Sequence, residues 1–212
     1  MPFLLLNSPA VLDNFRTFTC NMKKKILLTD VDGVLFDWVG AFGVFAQSKG
    51  YKLKMKTPTT WDMNEWFGAD NSTIKALIKE FNSGADFANL PIFSDAKDVI
   101  PKLANRYDLV AISCCSKDPK TVSLREKNLN LLGVKFKEIH CLDFTESKAD
   151  LLASYSPTIW LEDRPEGAET GHKAGHKSFL RNTTYNTSFY HPEITRINCL
   201  RELYLTLKKV KN

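Results

Sequence analysis

The chain is short of cysteine pairs, long apolar runs and charge of a single sign. Each shortage excludes a class of protein. Five cysteines occur in 212 residues, Cys20, Cys114, Cys115, Cys141 and Cys199, an odd number with no CxxC spacing. That fits a reducing, cytoplasmic compartment better than a disulfide framework. No apolar run approaches the ~20 residues that span a bilayer, so no membrane partner is expected. Residues 2–6 are apolar but follow no basic segment, so a signal peptide is not expected. No HExxH motif is present; His172 and His176 are four apart, but Gly175 interrupts the helix that would align them. No internal repeat or low-complexity segment is apparent.

The charge excess is small and local. Lys+Arg number 29 and Asp+Glu 24, for a net +5. Six of the lysines (Lys23, Lys24, Lys25, Lys208, Lys209 and Lys211) form two terminal clusters; without them the balance is 23 against 24. A nucleic-acid groove needs basic residues spread along a face, so no stable nucleic-acid partner is expected. A hydrophobic content of 43% is enough for one sizeable core.

What is present is an alternation of short apolar runs with amphipathic stretches. Apolar runs at 26–28, 109–112, 136–142, 158–161 and 177–180 read as strands. Helical spacing is found over 37–49, 73–81 (capped by Ser72), 94–103, 119–132, 148–155, 166–174 and 200–208. This βαβ rhythm predicts an α/β fold, a Rossmann-like parallel sheet with helices on both faces. About eighty residues separate the first two strands, against ~30 for a simple βαβ unit. The surplus is expected to be a small helical cap inserted after the first strand. The expected organisation is an N-terminal stretch (1–21) that is a loose extension, translation from a start codon upstream of Met22, or an apolar segment around Phe3 to Leu6 docked on the fold, then a core from 22–38 and 91–212, and a cap from 39–90.

The polar residues fall where strands end. Asp30 and Asp32 follow the first strand in Ile26-Leu27-Leu28-Thr29-Asp30-Val31-Asp32-Gly33-Val34, and Gly33 permits a sharp turn. Ser113 ends the second strand, Lys148 opens the helix before the fourth, and Glu162-Asp163 ends the fourth. In a parallel sheet these ends converge on one edge. Close carboxylates repel unless a cation or proton intervenes, and Mg²⁺ prefers hard oxygen ligands with a substrate phosphate. The set points to phosphoryl transfer with a carboxylate nucleophile.

These residues also resemble the motifs of the haloacid dehalogenase (HAD) superfamily of phosphatases. DxDGx appears as Asp30-Val31-Asp32-Gly33-Val34, the Ser/Thr strand end as Val110-Ala111-Ile112-Ser113, the lysine as Lys148, and the acidic motif as Glu162-Asp163. The resemblance covers about 25–207 and implies a C1-type cap. It further implies that Asp30 becomes an aspartyl phosphate and that Asp32 is the acid and base. Ser113 and Lys148 would hold the phosphoryl group. Asp30, the Asp32 carbonyl, Asp163 and Glu162 would bind Mg²⁺. The superfamily's dehalogenases lack the second Asp, so Asp32 favours a phosphatase or phosphomutase.

Residues 87–96 (FANLPIFSDA) and the aromatic insert are similar to 5'(3')-deoxyribonucleotidases, although those carry two aspartates where this chain has Glu162-Asp163. The resemblance implies a nucleoside monophosphate as partner. Phe36, Phe42, Trp61, Trp66 and Phe67 would offer base-stacking surfaces, unless they form the insert's own core. Arg164 would meet substrate phosphate or an insert carboxylate. Three alternatives are another small phosphorylated metabolite, a nucleic-acid 3' phosphate end, and a non-catalytic binding protein of the same fold. Assembly as a homodimer is left open.

Overall fold

The computed structural model describes residues 24–209; the expectations for 1–21 and for Met22 lie outside them. In chain order the elements are β1 (Lys25–Thr29), α1 (Trp38–Ser48), α2 (Met63–Phe67), α3 (Asn71–Asn82), α4 (Ala85–Ala88), α5 (Ser94–Ala104), β2 (Tyr107–Ser113), α6 (Pro119–Asn130), β3 (Glu138–Cys141), α7 (Ala149–Ala153), β4 (Ile159–Glu162), α8 (Pro165–Lys173), β5 (Lys177–Arg181), β6 (Thr195–Ile197) and α9 (Leu200–Lys209). The strands form one parallel sheet in the order β3-β2-β1-β4-β5-β6.

Alternation along β1 explains the layers. Leu27 faces a core with α5 and α9 (Ala96, Val99, Ile100, Leu103, Leu200 and Leu203). Leu28 faces the other way, with Val110, Ile112, Trp160 and Leu152 of α7. The sheet therefore carries helices on both faces, which is why its central strands read as unbroken apolar runs.

Helices α1–α4 fill the long excursion after β1. Their aromatics pack on one another: Trp38 stacks on Phe42 at 4.7 Å, and Phe42 meets Phe67 and Phe81 edge-on at 5.5 and 5.6 Å. This cluster is continuous with the sheet's own core. The two connections to the insert pair with each other, since Phe36 bridges Asp32 and Ile92, and Asp37 N–H donates to the Pro91 carbonyl at 2.8 Å. Asn82 adds a second tie. It accepts from Trp38 Nε1 at 2.9 Å and donates to the Cys115 carbonyl, just past β2, at 3.1 Å.

The structure differs from the sequence expectations at the start of α3 and in three further elements. Asp70, not Ser72, caps α3: its carboxylate accepts from the backbone N–H groups of Ser72 and Thr73, so the helix begins two residues earlier than expected. Strand β6 and the short helices α2 and α4 were not expected, being too brief for a period to show. Among the described residues, no helix is long and apolar enough to cross a membrane.

Candidate active site

The chain leaves β1 towards β2 on one side and later returns to β4 on the other. This reversal opens a crevice beyond the carboxyl ends of the central strands. The register then aligns the polar residues. Thr29 lies opposite both Ala111 and Leu161, so Asp30, Ser113 and Glu162-Asp163 all emerge at one edge. Asp30 N–H still donates to the Leu161 carbonyl at 2.8 Å, which fixes the start of the loop. Gly33 has φ +75°, and a Cβ there would lie 2.1 Å from Asp163 Oδ2. Only glycine lets the loop pass this close to the second acidic motif.

Asp30, Glu162 and Asp163 are all buried, and each offers an oxygen within 4.8 Å of the others. A single ammonium serves two of them: Lys148 Nζ donates to Asp30 Oδ1 and to Glu162 Oε2, both at 2.8 Å. Glu162 Oε1 accepts from the Asp163 N–H at 3.0 Å. Asp163 Oδ2 accepts from the Tyr185 hydroxyl, whereas its Oδ1 has no partner among the described residues. Ser113 Oγ and Asp32 Oδ1 are likewise buried and unpartnered.

The electrostatics follow from three crowded carboxylates of which only Asp30 and Glu162 touch a cation. Burial, then the charge of Glu162, raises the Asp30 pKa from 3.8 to about 7, against the pull of Lys148. Burial, Glu162 and Asp30 push Asp163 well above the ordinary range. Glu162 moves the other way: burial opposes its charge, but Lys148 and the Asp163 N–H outweigh it and hold its pKa down. A buried carboxylate set with less positive charge than it needs, and with an orphaned oxygen, fits a divalent cation. All the donors are hard oxygens, which suits Mg²⁺. Asp30, Glu162 and Asp163 are the residues that could hold it.

Above the trio lies a cleft of about 440 Å³ between the sheet edge and the insert. Of the aromatics singled out in the sequence, Trp61 lines it, with the Arg164 guanidinium over the indole at 4.9 Å. Phe36, Phe42, Trp66 and Phe67 do not line it; they are buried in the core cluster, with Trp66 Nε1 donating to the Met55 carbonyl at 3.0 Å. Phe144, half-exposed at the cleft, escaped the sequence reading because it lies in an irregular loop. Cys114 also lines the cleft, and burial pushes its thiol up to about 11, which makes it a poor nucleophile. His176 is a tie within the core, hydrogen-bonded to Thr158 N–H at 3.1 Å and to the Leu152 carbonyl at 2.9 Å.

Two further residues touch the acidic groups. Tyr185 does so from the irregular segment after β5. Arg125, fully buried on α6, ion-pairs with Asp32 Oδ2. The buried stripe of α6 is Thr121, Arg125, Asn128 and Leu129. Polar residues on a core-facing helical stripe were the one available signal for Arg125.

Comparison with solved structures agrees with this architecture. The HAD-hydrolase YfnB of Bacillus subtilis, solved bound to magnesium, superposes over 88% of this chain and 99% of its own, with a TM-score of 0.59 and 18% identity. CbbY of Rhodobacter sphaeroides, in complex with phosphate, matches over 85% and 96%, with a TM-score of 0.58 and 16% identity. The fold is that of the haloacid dehalogenase-like hydrolases. The L-2-haloacid dehalogenase of Xanthobacter autotrophicus, with chloropropionic acid covalently bound, shares the HAD-like fold equally well (87% and 98%, TM-score 0.57, 12% identity), so the fold alone does not select the reaction. No family model matches the chain. An uncharacterised 32.4 kDa protein of Enterobacteria phage T4 is 28% identical over 150 residues, covering 66% of this chain and 54% of the phage protein. The chain thus spans about half the length of that relative.

Proposed function

We propose that the protein is a Mg²⁺-dependent phosphatase that works through an aspartyl-phosphate on Asp30, with nucleoside monophosphates as its preferred substrates. One observation carries the reading. The Asp30 carboxylate is held by Lys148 at the floor of a cleft that Asp32 and Asp163 also line, each with a buried oxygen that has no partner among the described residues.

Asp30, Asp163 and Glu162 would hold the metal, with the Asp32 carbonyl beside them. When bound, Mg²⁺ offsets the negative charge that gathers on the phosphoryl oxygens. Asp30 attacks phosphorus, and the bond from phosphorus to the leaving oxygen breaks. Asp32 gives that oxygen its proton, then takes one from the water that releases phosphate and frees Asp30. Ser113 Oγ and Lys148 Nζ donate to the phosphoryl oxygens throughout. Asp32 supports a phosphatase over a dehalogenase, because a departing halide needs no proton whereas an alkoxide does.

The inserted helices serve as the cap. Trp61 and Phe144 support the nucleotide preference, since both line the cleft and bases stack on aromatic side chains. The test is phosphate release from p-nitrophenyl phosphate with and without Mg²⁺. Wild type is expected to be active only with the metal, and Asp30→Asn to be inactive. A panel of deoxynucleoside monophosphates and sugar phosphates then tests the substrate class. A higher kcat/KM on the sugar phosphates would point instead to another small metabolite.

A further inference from the structure

Arg125 is the most unusual buried group outside the acidic trio. Its side chain is wholly inaccessible, and a buried guanidinium is costly unless paired. Among the described residues its only ion-pair partner is Asp32, 93 residues away. One turn further along α6, Asn128 Oδ1 accepts from Arg125 Nη1 at 2.9 Å. The guanidinium carbon lies over the Phe87 ring, 4.3 Å from its centroid. Thus an ion pair, a hydrogen bond and a ring fix its planar fork on separate sides.

Asp32 is correspondingly divided. Its Oδ2 is taken by Arg125, while its Oδ1 is buried, unpartnered and part of a side chain that lines the cleft. A carboxylate free to rotate would exchange the two oxygens; the fork holds one and leaves the other for the reacting atoms. Phe87 belongs to α4, the last helix of the insert before the chain returns to the core. Arg181, ion-paired with Asp95 of α5 at 2.9 Å, makes a related set of contacts. It donates to the Val34 carbonyl at 3.2 Å and lies over Phe93 at 4.3 Å. The loop that carries Asp32 and the return segment of the insert are therefore each held by an arginine stacked on a phenylalanine.

We infer that Arg125 is a positioning residue for Asp32: it fixes the carboxylate so that a single oxygen faces the leaving group, and Phe87 makes this placement depend on the packing of the insert. This rests on the phosphatase reading above. A step that needs a proton donor is sensitive to the leaving group, whereas a general loss of folded protein is not.

The experiment compares kcat/KM for β-glycerophosphate, a poor leaving group, with p-nitrophenyl phosphate, a good one, in Mg²⁺. The variants are Arg125→Lys, Phe87→Leu and Asp32→Asn. Arg125→Lys keeps the charge but cannot span both Asp32 and Asn128. It is expected to lose at least about ten-fold more on glycerophosphate than on the aryl ester, in the same sense as Asp32→Asn. Phe87→Leu should show the same bias to a smaller degree. Equal losses on the two substrates in Arg125→Lys, or no loss, overturn the inference whatever Asp32→Asn shows. If Arg125→Lys fails to fold, as judged by circular dichroism, Phe87→Leu is read by the same criterion. If wild type releases no phosphate from either ester, or Asp30→Asn is as active as wild type, the phosphatase reading itself fails, and this inference with it.

Discussion

Replacing Asp30 by asparagine should make the metal-free protein more stable above neutral pH while removing its activity. Asp30, Glu162 and Asp163 crowd within 4.8 Å around one ammonium, and burial plus the neighbouring charge raises the Asp30 pKa from 3.8 to about 7. A carboxyl with a raised pKa in the folded state binds its proton more tightly there than when unfolded. Its stabilising contribution is complete below about pH 4 and is lost as pH rises through about 7. At about 1.4 kcal/mol for each tenfold change in proton affinity, ionising the buried group costs about 4 kcal/mol. Asparagine never ionises, and its amide oxygen can still accept from Lys148. It puts two N–H donors where a carboxylate oxygen stood, and a buried donor left unpaired costs about 1–3 kcal/mol, which leaves a gain of about 2 kcal/mol. For a chain of this size that is a rise in Tm of about 4–8 °C. The assay is differential scanning calorimetry in EDTA at about pH 8 and about pH 4, repeated in Mg²⁺. The gain should appear only at the higher pH. Added Mg²⁺ should reverse the order of the two proteins, because wild type keeps the full ligand set and gains more from binding. A Tm for Asp30→Asn at or below that of wild type in EDTA at about pH 8 would refute the electrostatic account. So would a gain of equal size at about pH 4.

Two other substitutions probe separate parts of the fold. Lys148→Met removes the ammonium shared by Asp30 and Glu162; it should lower kcat/KM by about 10²–10³ in steady-state assays and lower the metal-free Tm, because two buried carboxylates lose their counter-charge. Gly171→Ala would place a Cβ 2.1 Å from Trp160 Cδ1, where α8 packs on β4, and should cost about 1–3 kcal/mol in urea unfolding. An unchanged midpoint would show that α8 can shift without loss.

Much of the sheet was legible in the sequence because a strand buried on both faces has to be apolar at every position. Leu27, Leu28, Leu109, Val110, Ala111, Ile112, Trp160 and Leu161 satisfy that demand. The placement of the polar residues was legible for the same reason: a carboxylate or hydroxyl directly after such a run must sit at the sheet edge. Strand β6 was not legible, since Thr195–Ile197 are three residues whose extended form depends on the register with β5. The aromatics illustrate a different limit. Helical spacing says which rings share a face, but Phe42 and Trp66 pack inward and Trp61 lines the cleft because of how the insert docks.

The sequence by itself determined the parallel sheet, the long insert and the order of Asp30, Asp32, Ser113, Lys148, Glu162 and Asp163 along it, because local burial and strand ends are written in residue type and spacing. Only the tertiary structure decided that Lys148 is shared between two carboxylates, that Tyr185 caps Asp163 and that Arg125 grips Asp32. Those contacts join residues 14, 22 and 93 positions apart through low-dielectric space, where the energy depends on distance and burial and no period in the chain records it.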